Sequence, residues 1–68
     1  MDPVVVELVG GWEDGLRFAL PLGVEPPTHM ELPRKAWLGP LKVLDQYERE
    51  KQDGPVVFYR WRGSKAVP

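Results

Sequence analysis

The residues with catalytic potential are few and badly spaced. The chain has one histidine, His29, one serine, Ser64, and no cysteine. Hydrolytic catalysis needs a nucleophile, a base and an orienting group within hydrogen-bond reach of one another. His29 and Ser64 are separated by half the chain, with no third partner in either neighbourhood, so His29 reads as a loop or edge-strand residue partly covered by Trp37. The carboxylate pairs Glu13 with Asp14 and Glu48 with Glu50 do not suit paired acid–base work. That chemistry needs two carboxylates in different environments across a cleft, and a turn tip and a solvated strand face supply neither. One histidine without thiols leaves only oxygen ligands for a metal, and Glu13-Asp14 lacks the alternating spacing of a calcium loop. The glycines of Gly10-Gly11 and Gly15 lead into Leu16-Arg17 and not into the Lys-Ser/Thr of a phosphate loop. The sequence predicts no enzyme, no metal and no cofactor.

Two groups of side chains are suited to recognition. Arg60-Trp61-Arg62, with Tyr59 beside it, interleaves cations and aromatics as base-stacking β surfaces do. Against nucleic acid stand a formal net charge of −1 and the acids Glu7, Glu48 and Glu50, placed to pair with arginines across strands. Protein recognition fits better: three tryptophans and two tyrosines in 68 residues exceed what so small an interior holds. Trp, Tyr and Arg also dominate interface hot spots. Trp12, Glu13 and Asp14 on a turn, Arg60, Trp61 and Arg62 on the last strand, and the proline-rich segment 21–40 are the contact candidates. The competing reading puts Trp37 and Trp61 over the open ends of a small barrel.

Strands and turns must position these groups. Residues 4 to 9 are apolar or β-branched except for Glu7, with Val4, Val6 and Leu8 on one face. Gly10 to Gly15 is a turn, and Leu16, Phe18 and Leu20 alternate behind it, so residues 4 to 20 read as a β-hairpin. Five prolines between Pro21 and Pro40 exclude a long helix there. Thr28 to Leu32 suits a short edge strand stopped by Pro33, and Trp37 with Leu38 would tuck under the sheet. Residues 41 to 52 fit a strand, with Leu41, Val43 and Tyr47 on one face, or a helix, with Leu38, Leu41 and Leu44 in line. Asp53-Gly54 before Val56 to Arg62 favours a second hairpin. The expected core is Val6, Leu8, Phe18, Leu20 and Phe58, and residues 64 to 68 read as a flexible tail.

The fold class expected is therefore mostly β. It is a single domain: a small antiparallel sheet or open barrel of about four to five strands with a proline-rich loop between two hairpins. The alternative is α+β with one helix at about residues 41 to 52. At this length apolar burial barely exceeds the entropy of ordering, which favours docking onto a larger partner or a homo-oligomer. No apolar run approaches the ~20 residues of a membrane span, and the start lacks a secretory pattern. A cytoplasmic or virion location is expected. The absence of Asn and the scarcity of Ser and Thr give a thermophile-like composition.

The opening Glu7-Leu8-Val9-Gly10-Gly11-Trp12-Glu13-Asp14-Gly15 resembles that of a group of small uncharacterised phage and bacterial proteins. In that group a first strand ends in a Leu-x-Gly-Gly-Pro-x-Asp-Gly turn, and Tyr-containing paired strands close the chain. The likeness covers about the first 20 and last 20 residues, and Trp12 stands where the group has proline. It implies a small phage-type β domain and lends no chemistry. The function expected is non-catalytic binding of another protein, either as a phage accessory protein that inhibits or redirects a host machine such as RNA polymerase, or as a virion component cementing capsid or tail subunits. Single-stranded nucleic-acid or nucleotide binding through Arg60, Trp61 and Arg62 is the third reading.

Overall fold

A computed structural model describes residues 3–34 and 42–67. The described chain forms β1 (Val5–Val9), β2 (Arg17–Ala19), β3 (His29–Pro33), β4 (Lys42–Asp53) and β5 (Val56–Val67), with no helix among these residues. One open, curled sheet holds all five in the order β2-β1-β5-β4-β3. Residues 42 to 53 are thus strand, and the helical alternative is not adopted. Trp37 and Leu38, expected beneath the sheet, lie outside the described residues.

Three of the four pairings are antiparallel, but β1 runs parallel to β5, with Val6 opposite Val57 and Leu8 opposite Tyr59. The small, mostly antiparallel open sheet expected from the sequence is what forms, with one parallel pairing at its centre. The reason lies in burial: β5 carries the fully buried Val57 and Tyr59, and flanking it with β1 and β4 covers both of its edges. The β4–β5 hairpin closes through Gly54-Pro55, with Gly54 at φ +58°. A positive φ at the first loop position is what a tight II′-type hairpin turn requires, and glycine supplies it without steric cost. Twelve residues per strand at ~3.3 Å each account for the 41 Å long dimension. β5 continues to Val67, opposite Lys42, so residues 64 to 67 belong to the sheet and are not a tail.

One face of the sheet is the core. Val6, Leu8, Tyr47, Val57 and Tyr59 are fully or almost fully buried, and Val4, Phe18, Leu20, Met30, Leu32 and Trp61 pack against them. The loop between β2 and β3 closes over this face. The Tyr59 hydroxyl donates to the Pro27 carbonyl at 2.6 Å, and the Arg49 guanidinium donates to Pro26 O at 2.9 Å. Of the expected core, Val6 and Leu8 are buried and Phe18 and Leu20 are half-buried against it. Phe58 is the correction. Strand alternation turns Val57 and Tyr59 inward, so Phe58 faces outward, with the Lys51 ammonium 5.1 Å from its ring centroid. Leu16, placed on the Phe18 face by its spacing, stays exposed in the turn.

Candidate functional site

The outer face of the sheet carries charges in register. Arg17 pairs with Glu7 at 2.6 Å, Arg60 with Glu50 at 3.0 Å, Arg62 and His29 with Glu48 at 3.2 and 3.3 Å, and Lys65 with Glu31 at 2.9 Å. The Lys65 contact, then that of Gln46, holds the Glu31 carboxyl below its ordinary range; Arg62 does the same for Glu48. Two irregularities set this ladder. The register shifts between Gln46 and Tyr47, leaving Arg62 as an extra residue on β5, and again between Arg49 and Lys51, leaving Glu50 extra on β4. Bulged residues lie at the strand surface, where their side chains swing to a partner.

Arg60 and Arg62 therefore do not share a surface with Trp61, which points to the inner face. The aromatic–cation interleaving visible in the sequence is divided between two sides of the sheet. A phosphate approaching either arginine would have to displace a carboxylate. His29 lies opposite Glu48 and Ser64 opposite Asp45 in their ladders. Among the described residues no group of three or more His, Cys, Asp or Glu side chains is arranged to hold a metal ion. Among the described residues no helix is long and apolar enough to cross a membrane.

At the open end of the inner face, residues distant in sequence converge. Asp45 takes an inward position of β4 between Val43 and Tyr47 and is 2% exposed. Its carboxylate accepts from Arg34 Nη2 at 2.7 Å, from Arg34 Nε at 3.1 Å and from the Trp61 indole N–H at 3.0 Å. A two-pronged guanidinium–carboxylate contact is both directional and strong, and here it satisfies a buried acid completely. Arg34 holds the Asp45 carboxyl below the usual carboxylate range, against the opposing effect of burial, and the Trp61 contact adds to the lowering. Reciprocally, Asp45 raises Arg34. Burial pushes the neighbouring Tyr47 hydroxyl up, with the charges of Asp45 and Glu13 adding to it.

The same guanidinium lies 5.6 Å from the ring centroid of Trp12, inside the ~6 Å range of cation–π attraction. The backbone closes the circuit. Gly11 lies flat on the Trp61 ring; a Cβ there would sit 2.5 Å from Trp61 Cγ, and its φ of +74° is one that L side chains rarely adopt. Trp12 is thus fixed twice, through its backbone neighbour on Trp61 and through its ring on Arg34. Asp14 secures the turn, its Oδ1 accepting from Gly10 N at 2.6 Å. Despite this anchoring, Trp12 remains 65% exposed.

Of the six contact candidates, the structure brings Trp12, Glu13, Asp14 and Trp61 to this end of the inner face. Arg60 and Arg62 lie on the other side. Sequence reasoning missed Arg34 and Asp45, the pair that ties the group together. The signal was present: Val43-Leu44-Asp45-Gln46-Tyr47 puts an acid on the same face as Val43 and Tyr47, and an acid at an inward strand position calls for a buried cation or donor.

No protein-family model, no curated protein and no solved structure matches this chain.

Proposed function

We propose that this chain is a non-catalytic recognition module that binds a larger protein through Trp12 and the turn around it. The observation that carries the reading is that Trp12 is both anchored and exposed. A large indole held in place loses little conformational freedom on contact, so most of its apolar area contributes to affinity. Leu16, also exposed in the same turn, widens the apolar surface. The resemblance of the Leu8 to Gly15 turn to phage proteins supports a finer form of the reading: an accessory protein that docks on a host machine such as RNA polymerase and inhibits or redirects it.

The test is affinity capture from host lysate with the tagged chain and its Trp12→Ala variant. Trp12→Ala should melt close to the parent and lose about 2 kcal/mol of binding, the size of an interface hot spot. Equal capture by both chains would overturn Trp12 as the contact. Finding the chain in purified particles, with no host protein captured, would replace the host-directed form by a virion-cementing one.

A further inference from the structure

We propose that the partner seats a cationic side chain, an arginine or a lysine, on the open face of the Trp12 indole beside the carboxylates of Glu13 and Asp14. The inference rests on the reading of Trp12 as the contact residue and adds what that residue selects. One face of the indole faces Arg34. That arginine does not repel a second cation strongly, because its charge is matched at 2.7 and 3.1 Å by Asp45. Among the described residues no Lys, Arg or His lies in ion-pair range of Glu13 or Asp14, whereas Glu7, Glu31, Asp45, Glu48 and Glu50 are all paired. Glu25 and Asp53 have no ion pair either, but among the described residues it is Glu13 and Asp14 that adjoin an exposed indole in the chain.

Asp14 is held in place by Gly10 N, and Glu13 is close enough to the inner-face cluster for its charge to act on the Tyr47 hydroxyl. A guanidinium or ammonium meets both requirements at once, stacking on the ring and pairing with a carboxylate. An aliphatic side chain would satisfy only the ring. A carboxylate would be repelled.

The experiment titrates the full chain with acetyl-Gly-Arg-Gly-amide, its citrulline counterpart and its leucine counterpart at low salt. It follows the Trp12 indole N–H in ¹H–¹⁵N spectra, identified by its loss in Trp12→Phe. The arginine peptide should shift that resonance saturably and bind about fivefold more tightly than the citrulline peptide, which has the same shape without the charge. Glu13→Gln combined with Asp14→Asn, which keeps the acceptor for Gly10 N, should remove most of that difference. Added salt should weaken the arginine peptide alone. Equal binding of arginine and citrulline peptides, or no shift with arginine, would overturn the inference. A shift with the leucine peptide alone would do so while leaving Trp12 as an apolar contact. Failure of every peptide, together with undiminished lysate capture by Trp12→Ala, would remove both.

Discussion

Arginine meets carboxylate on both faces of this sheet, under opposite conditions. Arg34 and Asp45 on the inner face have side chains 19% and 3% exposed; Arg60 and Glu50 on the outer face are 45% and 38% exposed. The inner pair is two-pronged, shares its carboxylate with Trp61 and holds an indole in place. The outer pair is a single contact in water. Identical chemistry is therefore structural in one place and little more than surface dressing in the other, because the solvent decides what an ion pair is worth. A sequence motif that names only residue types does not distinguish the two.

The largest effect that tests this contrast is Asp45→Ala. It leaves the half-buried Arg34 guanidinium and the Trp61 N–H without their acceptor and should cost about 3 kcal/mol, enough to unfold much of a domain this small in urea melts. A loss no larger than that from an outer-face substitution would erase the distinction.

Acid titration comes next. Because Arg34 depresses the folded-state pKa of Asp45, its stabilisation is fully present above the ordinary aspartate range, near pH 4, and is lost as pH falls through the lowered value. Thermal melts should therefore hold steady from neutrality to about pH 4 and fall below it. Asp45→Asn should start less stable and show a shallower acid decline. The remaining slope belongs to Glu31 and Glu48, which are lowered by outer-face contacts. An unchanged slope in Asp45→Asn would mean that the inner carboxylate is not the acid-sensitive group.

Phe58→Ala should cost about 1 kcal/mol, far below the ~3–5 kcal/mol of a core aromatic such as Tyr59→Ala, since Phe58 lies on the outer face beneath Lys51. Equal losses would erase the difference between the two faces, and a larger loss at Phe58 would show them to be reversed. Smallest of all, Arg60→Ala should change stability by less than about 1 kcal/mol, and less still in high salt.

The strands were legible because their signals are local. Val4 to Val9, the Leu16-Phe18-Leu20 alternation, the stop at Pro33 and the Gly54 turn each point to one conformation without reference to the rest of the chain. What was not legible depended on pairing. Phe58 and Tyr59 are equally good strand residues, and only the parallel register of Leu8 against Tyr59 settles which one is buried. Similarly, Arg60-Trp61-Arg62 looks like one surface until alternation separates it. That an indole would stand exposed on the turn was readable from Trp12 itself. The Arg34–Asp45 clamp behind it joins two strands that pair only through β3–β4 register, and it becomes visible once Asp45 is seen to occupy an inward position.

The parallel neighbour at the middle of the sheet has a kinetic consequence. β1 can fold back on β2 early, but its other edge must wait for β5, the last strand along the chain, and joining Val5 to Val56 closes a loop of about fifty residues. The β4–β5 ribbon, linked by a two-residue turn, forms at far lower entropic cost and becomes the template on which the amino-terminal hairpin docks. Since Gly11 rests on Trp61, the Gly10 to Gly15 turn acquires its rigid shape only in that final step, so a chain halted before docking would hold all five strands' worth of sequence and still leave Trp12 without its anchor.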